Sequence, residues 1–362
     1  MNAPNILLCP QLLDAMGCPM PRKLNHAVAW LLNISFILLG IPAFAQSPTV
    51  EEVLGVLGMD KSQIAELEQD RPVAYALSEG SADELAVGLA WYLPVPLNKV
   101  AGQLRLVDPD PLDVDVTAHG ILTDHSGAGS LAPVVLSTEE AQALLEAGPG
   151  DEFNLSAHEI DKLKTFKQTL KRTPQRSIED AAGEYFREIL LQRYEAYRRG
   201  GTNAIAPYAR KEGTDSKPSL ELRQAANASA ILSRYFPALH KAWLDYPKAL
   251  PPGAGEAFPW VEKKVEGRPS AILRHRVNMD WNDGVLVLTR EIYAPHSYNS
   301  SQWITGCLPY LDGTVIFQQV RSFTDQVAGV ASDVKHVVGR ELLKDKMLKS
   351  FERLCGVLGQ CH

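Results

Sequence analysis

The sequence lacks the short motifs that identify the commonest catalytic and cofactor sites. It contains no GxGxxG, P-loop, CxxC, CxxCH or GxSxG pattern, and His158-Glu159 is not followed by the second histidine of an HExxH zinc site. Its five cysteines match no zinc-ligand spacing. We therefore expect no cofactor and no metal, and the sequence assigns no catalytic residue.

An excess of positive charge is also absent, as are long apolar runs beyond the N-terminal region. The net charge is −7, which argues against nucleic acid as a partner. After residue 45 no run is long enough to cross a membrane, and no internal repeat or low-complexity tract occurs. The remaining 317 residues suffice for one large domain or two small ones.

The N-terminal region has the three parts of a secretory signal. Arg22 and Lys23 precede the apolar run 27–41, and Ala43 and Ala45 form an A-x-A cleavage site. The alternative is an uncleaved signal anchor, but the run is shorter than the roughly 20 residues that a spanning helix needs. The pattern predicts a signal peptide over residues 1–45, with cleavage after Ala45.

The first nineteen residues make a poor start for this signal, because they contain Asp14 and no basic residue. Translation from Met20 would give a signal of ordinary length, so we expect that Cys9 and Cys18 are not translated. No lipobox cysteine follows the apolar run, and the compact signal favours the bacterial periplasm over full secretion. In that oxidising compartment one pair could form a disulfide and leave an odd thiol among the remaining cysteines, Cys307, Cys355 and Cys361.

The rest of the chain divides into three parts. Residues 46–136 contain short helices, predicted strands at 72–78, 83–94 and 112–117, and a short helix from about residue 96. Residues 137–245 are predicted to be helical, with Ser-x-x-acidic capping patterns, a fourth helix over about 219–243 and a long exposed loop over 202–218. The capping patterns begin at Ser137, Ser156 and Ser177.

Residues 246–362 begin with a Pro- and Gly-rich break over 246–260. Alternating apolar runs then predict an antiparallel meander, because Asn282-Asp283-Gly284 and Asp312-Gly313 are hairpin-turn sequences. The runs are 270–279, 285–293, 303–311 and 314–323. A long helix over about 332–357 follows, with an apolar stripe that should lie on the sheet.

Two stretches carry a resemblance to a known architecture: "ELAVGLAWYLPVPLNKVAGQLR" and the C-terminal region from "VLVLTREIYAPHSYNSSQWITGCLPYLDGTVIFQQV" to "HVVGRELLKDKMLKSFERL". Over about half of the mature chain, this order resembles the helix-grip arrangement of the START-related superfamily. The resemblance implies an α+β fold in which a curved antiparallel sheet packs on a long C-terminal helix. The helical block 137–245 departs from the pattern and would be an insertion or lobe. The resemblance also implies a cavity between sheet and helix for a hydrophobic or amphipathic small molecule, lipid included; the superfamily contains carriers and enzymes.

Strand alternation supplies the first candidate ligand-binding residues. His275 shares the apolar face of its strand, where it is either a cavity group or a hydrogen-bonded core histidine. Glu291 and Tyr293 share a face with Val285 and Val287. Glu291 could pair with Arg321 across the sheet to orient a polar head group; the alternative is a surface ion pair of little energetic weight.

The segment "EIYAPHSYNSSQW" (291–303) supplies the remaining candidates. Tyr293, His296, Tyr298 and Trp303 combine apolar area with hydrogen-bonding edges, which suits a cavity rim. His296 could also act as a general base. The alternative is a simple turn, in which Pro295 ends the strand by removing an amide.

Three functional hypotheses follow. The first is a periplasmic binding protein for a hydrophobic or amphipathic small molecule. The second is an enzyme that uses His275, Glu291 or His296, which requires two of these side chains to converge at a pocket. The third is a non-catalytic envelope protein whose helical block docks onto a partner, which requires an exposed apolar patch there.

The signal-peptide assignment makes a direct prediction. Protein recovered from the periplasm should begin at Gln46, because the A-x-A site directs cleavage after Ala45. N-terminal sequencing checks this. Recovery of the full-length chain in the membrane fraction would instead support the signal-anchor alternative.

Overall fold

The computed structural model describes residues 48–359, except 70, 108, 109, 111, 151, 173–176 and 212. The predicted signal peptide, Met20 and Cys361 lie outside these residues. Within them the chain is α+β, with one antiparallel sheet of eight strands and a long C-terminal helix. This agrees with the predicted fold class at that level of detail.

The strands and helices have the following bounds. The strands are β1 (Val73–Ala76), β2 (Glu84–Leu93), β3 (Val116–Leu122), β4 (Gly255–Val265), β5 (Arg268–Trp281), β6 (Gly284–Tyr293), β7 (Ser300–Tyr310) and β8 (Gly313–Phe323). The helices are α1 (Val50–Leu57), α2 (Lys61–Leu67), α3 (Leu97–Leu104), α4 (Thr138–Glu146), α5 (Ala157–Lys171), α6 (Ile178–Gly200), α7 (Pro218–Asn227), α8 (Ala230–Tyr235), α9 (Pro237–Leu244) and α10 (Ser332–Leu358).

Strand order in the sheet is β1-β2-β8-β7-β6-β5-β4-β3. Strands β4 to β8 form a continuous antiparallel meander. Tight turns join β5 to β6 and β7 to β8, where Asn282 and Leu311 take positive φ values of 53° and 49°, whereas residues 294–299 form a longer connection between β6 and β7. Strand β2 then pairs with β8 along its whole length, from Glu84 opposite Phe323 to Leu93 opposite Thr314. The N-terminal part of the chain thereby completes a sheet that the C-terminal part builds, and the predicted meander is confirmed.

The two faces of the sheet are covered differently. One face, here called the lobe face, packs against α1, α2 and the helices α4–α9 through two large apolar clusters. The other, the α10 face, packs against α3 and α10. Met347, Phe351 and Leu354 of α10 belong to one apolar cluster with Val285 and Val287 of β6. The predicted apolar stripe of the terminal helix therefore lies on the sheet, as expected.

Two strands differ from the prediction. Strand β4 begins at Gly255, inside the predicted break 246–260. The prediction missed this strand because Pro259 and the charged segment Glu262–Lys264 interrupt the alternation of apolar and polar residues. Strand β3 begins at Val116 rather than residue 112. Leu112 and Asp113 instead form a turn that folds under the sheet and is buried there.

The helical block also differs in detail. The predicted helix over 219–243 is three helices, because Ser229 caps α8 and Pro237 starts α9. The predicted exposed loop 202–218 is partly buried, with Tyr208 fully enclosed and bridged to Ser216. Of the three predicted capping boxes, the one at Ser156 is complete.

Cys307 is a buried free thiol, and Cys355 is disulfide-bonded. No helix among the described residues is both long and apolar enough to cross a membrane.

Packing on the lobe face predicts the effect of one glycine substitution. A β-carbon on Gly88 of β2 would lie 2.1 Å from the buried ring of Tyr75, so Gly88→Ala should lower the free energy of unfolding by about 1–3 kcal/mol. Gly102→Ala in α3 is the matched control, because no atom lies within 4 Å of its added carbon. It should raise stability by about 0.5–1 kcal/mol. Urea denaturation of both variants measures the contrast, and equal effects would contradict the packing argument.

Candidate functional site

A cavity of ≈ 160 Å³ lies on the α10 face, between α10 and the strands β4 to β8. It is partly open to solvent, and the buried turn before β3 forms one side. Its walls combine apolar and charged side chains. The lining residues are Asp110, Leu112, Asp113, Lys263, Val265, Arg274, Glu291, Tyr298, Ser301, Trp303, Gln318, Val320, Ser322, Leu343, Lys346, Met347 and Ser350.

The guanidinium group of Arg274 forms the floor of this cavity. Its Nε and Nη2 donate to Glu291 Oε1 at 3.1 and 3.0 Å. Its Nη1 donates to Asp113 Oδ2, and Nη2 also donates to Asp113 Oδ1 at 3.2 Å. Lys263 Nζ donates to the same Asp113 oxygen at 3.1 Å. One arginine thus ties the turn before β3 to strands β5 and β6.

Burial sets the electrostatics of this cluster. Desolvation alone would raise the pKa of Asp113, but Arg274 and Lys263 outweigh it and hold that pKa well below its usual range. The same carboxylates keep the pKa of Arg274 above its ordinary value in spite of burial. Loss of the guanidinium would leave Asp113 and Glu291 as buried carboxylates without their main partner, a change that typically costs several kcal/mol.

Tyr298 and Trp303 complete the polar end of the cavity. Tyr298 Oη donates to Glu291 Oε2 at 2.6 Å, and burial together with that carboxylate raises the pKa of Tyr298 well above its usual value. The phenol is therefore a neutral hydrogen-bond donor. The Arg274 guanidinium lies 5.0 Å from the ring centroid of Trp303, a cation–π contact.

The structure brings together three of the predicted site residues, Glu291, Tyr298 and Trp303. Tyr293 is separated from them by a β-bulge. Leu273 pairs with Tyr293 while Arg274 pairs with Glu291, which leaves Ile292 as an extra residue of β6. Tyr293 consequently points to the lobe face, where Arg193 lies 4.3 Å from its ring centroid. The prediction that Tyr293 shares a face with Glu291 was wrong for this reason.

The predicted pairing of Glu291 with Arg321 does not form. Arg321 lies on the lobe face, where its Nη1 donates to Glu84 Oε1 and, at 3.0 Å, to the Ser78 carbonyl oxygen. Glu291 lies on the α10 face and binds Arg274 and Tyr298. The sheet separates the two side chains. Glu291 pairs with Ser301, which pairs with Ser322, and the preceding residue Arg321 therefore points to the opposite face.

His275 is fully buried on the lobe face, opposite to the cavity. Its Nδ1 lies 2.7 Å from Tyr197 Oη, and its Nε2 lies 3.0 Å from Glu256 Oε1. Because Arg290 already donates to the Tyr197 hydroxyl, that hydroxyl donates to Nδ1, and the Nε2–H of a neutral imidazole donates to Glu256. Burial lowers the pKa of His275 to about 4. The environment is that of a hydrogen-bonded core histidine.

His296 is buried in the connection between β6 and β7. Its Nε2 lies 2.8 Å from Ser270 Oγ, and its Nδ1 lies 2.8 Å from Ser297 Oγ. Asn154 of the helical block covers this connection, since its backbone N–H donates to the Pro295 carbonyl oxygen at 2.6 Å. His275, Glu291 and His296 thus have separate hydrogen-bond partners, and no hydrogen bond among the described residues joins any two of them.

Residue-by-residue prediction missed the other charged residues of the cavity that contains Glu291. Asp113, Lys263 and Arg274 were not identified, nor was Lys346 of α10. One signal was available in the sequence, because Arg274 and Arg276 share the more polar face of β5. Two arginines on a buried face of a sheet require carboxylate partners that are buried with them. Among the described residues, no cluster of three or more His, Cys, Asp or Glu side chains is placed to hold a metal ion.

A second cavity of ≈ 460 Å³ lies beyond Tyr298, which borders both. Polar side chains form most of its wall, and many of them satisfy one another. Arg210 donates to Asp325 Oδ2 at 2.7 Å, to Asn299 Oδ1 at 2.9 Å and to Asn154 Oδ1 at 3.0 Å. This volume is larger, but its charges are used to join the helical block to the sheet.

Comparisons with known proteins add little to this geometry. No family model and no curated protein matches the chain. One solved structure, titled as the crystal structure of Ara h 8.0201, is similar at 12% identity with a TM-score of 0.21. The match covers 39% of this chain and 88% of that one. At that TM-score the likeness carries no argument about fold or function.

The environment of His275 predicts a pH dependence of stability. Its folded-state pKa of about 4 lies below the unfolded value of about 6.5, so the unfolded state binds the proton first as the pH falls. The stabilisation should be complete above pH ~6.5 and be lost towards pH ~4, a change of about 3 kcal/mol. Unfolding free energies of wild type and His275→Gln across this range measure it. The exposed His125→Gln variant should behave like wild type; an unchanged pH slope in His275→Gln would contradict the assignment.

Proposed function

We propose that this protein is an exported, periplasmic binding protein for a small amphipathic molecule, with the ligand held in the cavity between the sheet and α10. The observation that carries the proposal is this cavity, which has an ionic floor and an apolar wall. Val265, Val320, Leu343 and Met347 provide the wall, and Arg274 with its partners provides the floor. This placement corresponds to the ligand site that a helix-grip architecture implies.

The volume limits the size of the ligand. A cavity near 150 Å³ can hold one benzene-sized molecule, whereas sites for drug-sized ligands have about 300–1,000 Å³. The cavity of ≈ 160 Å³ therefore suits a compact molecule or one end of a longer chain. A whole two-chain lipid would require α10 to move away from the sheet.

The chemistry of the lining favours binding over catalysis. Asp113 and Glu291 are both engaged by Arg274, and the pKa shifts of Asp113 and Tyr298 hold one as a carboxylate and the other as a neutral phenol. Groups fixed in one protonation state orient a ligand well, but they do not exchange protons readily near neutral pH. The cluster is thus suited to recognise a polar group.

The alternative of an envelope protein that docks through its helical block has less support. Among the described residues of 137–245, Leu220 is the one large apolar side chain that is strongly exposed, at 59%. A single exposed leucine is normal for a monomer and does not form a docking patch.

A titration with a neutral amphipathic probe tests the proposal. 1-Hexanol should shift the amide NMR signals of Val265, Val320 and Met347, because its apolar chain gains about 0.8 kcal/mol for each buried methylene. Leu343→Trp should weaken binding at least tenfold by filling the cavity. Leu342→Trp is the matched control, since Leu342 is 60% exposed and does not line the cavity. Shifts confined to other surfaces, or undiminished binding by Leu343→Trp, would refute the proposed site.

A further inference from the structure

The charged side chains at the cavity include one more cation than carboxylates, which bears on the charge of the ligand. The lining contains three carboxylates and three cations, and one of those carboxylates is bound by a further arginine behind the wall. That pair is Asp110 with Arg276, whose Nη1 donates to Asp110 Oδ2 and whose Nη2 donates to the Leu104 carbonyl oxygen at 2.7 Å. Four cations therefore face three carboxylates at this site.

The excess positive charge resides on Lys346. Asp113 is held by Arg274 and Lys263, and Glu291 by Arg274 and Tyr298. No described side chain forms a hydrogen bond or ion pair with the Lys346 ammonium group, although that group belongs to the cavity lining. Lys346 is thus the cation at the site that has no partner of its own.

The position of Lys346 on α10 explains why it faces the cavity. Leu343, Met347 and Ser350 lie on the same side of the helix at three- and four-residue spacing and also line the cavity. Lys346 also lines the cavity and is an exposed residue, which places it at the mouth. Partial burial and the neighbouring Lys263 lower its pKa, while Glu291 and Glu266 oppose the change. Its charge is therefore only incompletely compensated by the protein.

We propose that the ligand is a small organic anion, a monocarboxylate with a short apolar tail, and that the Lys346 ammonium group binds its carboxylate. This inference rests on the proposed function and adds the ligand's charge to it. An anionic head group at the mouth would neutralise the excess positive charge, since carboxylate and ammonium form a charge-assisted hydrogen bond. The tail would contact Leu343, Met347 and Val320, which form the adjacent apolar wall.

A pair of probes with the same chain separates charge recognition from apolar binding. Hexanoate should bind the full-length mature protein about tenfold more tightly than 1-hexanol at neutral pH, as NMR titration measures, because hydrogen bonds to charged groups are the stronger ones. Raising the salt concentration should reduce the affinity for hexanoate and leave that for 1-hexanol unchanged.

Substitutions at two neighbouring lysines locate the effect. Lys346→Met should bind hexanoate no more tightly than it binds 1-hexanol, and a dispersed amide NMR spectrum like that of wild type shows that the variant is folded. Lys346→Arg should retain the preference. Lys349→Met is the matched control, because Lys349 is an exposed lysine of α10 that does not line the cavity.

The outcomes distinguish this inference from the function on which it rests. If wild type binds 1-hexanol and hexanoate equally well, the anion inference fails while the binding function stands. If Lys346→Met keeps the preference for hexanoate, Lys346 is not the anchor and the inference is overturned. If neither probe binds at the cavity, the proposed function itself is wrong.

Discussion

The contact on which the α10 side of the structure depends is the bidentate grip of Arg274 on Asp113 and Glu291. It joins the hairpin of β5 and β6 to a turn 161 residues earlier in the chain, and all three side chains are nearly inaccessible to solvent. A buried charge of this kind is favourable only when its partners are complete. The turn before β3 must therefore fold under the sheet, and α10 can cover the cluster only in part. The cavity therefore has charged groups along one side, where an apolar core would have aliphatic side chains.

Much of the sheet was predictable from sequence because its signals are local. The turns at Asn282-Asp283-Gly284 and Asp312-Gly313 and the alternation in β5, β6 and β8 correspond closely to the observed strands. The assignment of His275 and Arg274 to opposite faces of β5 was also correct. Helix α10 was also predicted to within a residue, and Leu343, Met347, Phe351 and Leu354 of its second half recur at helical spacing.

The site was less predictable because it depends on contacts between distant segments. The alternation of apolar and polar residues separates the two faces of a strand but does not reveal which face bounds a cavity. His275 and Arg321 were therefore predicted as ligand-site residues, although both lie on the lobe face, which the helical block covers. The bulge at Ile292, which turns Tyr293 away from Glu291, has no signature in the local sequence. Asp113 meets Arg274 across a separation of 161 residues, and no single-sequence pattern identifies such a pair.

The pairing of β3 with β4 has a consequence for the modularity of this chain. Leu122 lies opposite Phe258, so in terms of connectivity the helices α4–α9 are an enlarged hairpin loop. In terms of solvation they are a second layer, because they cover Trp260, Ile292 and Tyr293 of the sheet. Excision of the block with a short linker would join the strand ends easily but expose a broad apolar surface, which favours aggregation. The connectivity of the chain would thus allow the block to be removed, but the apolar surface that it covers would not. Removing it would require polar substitutions on the part of the sheet that it covers.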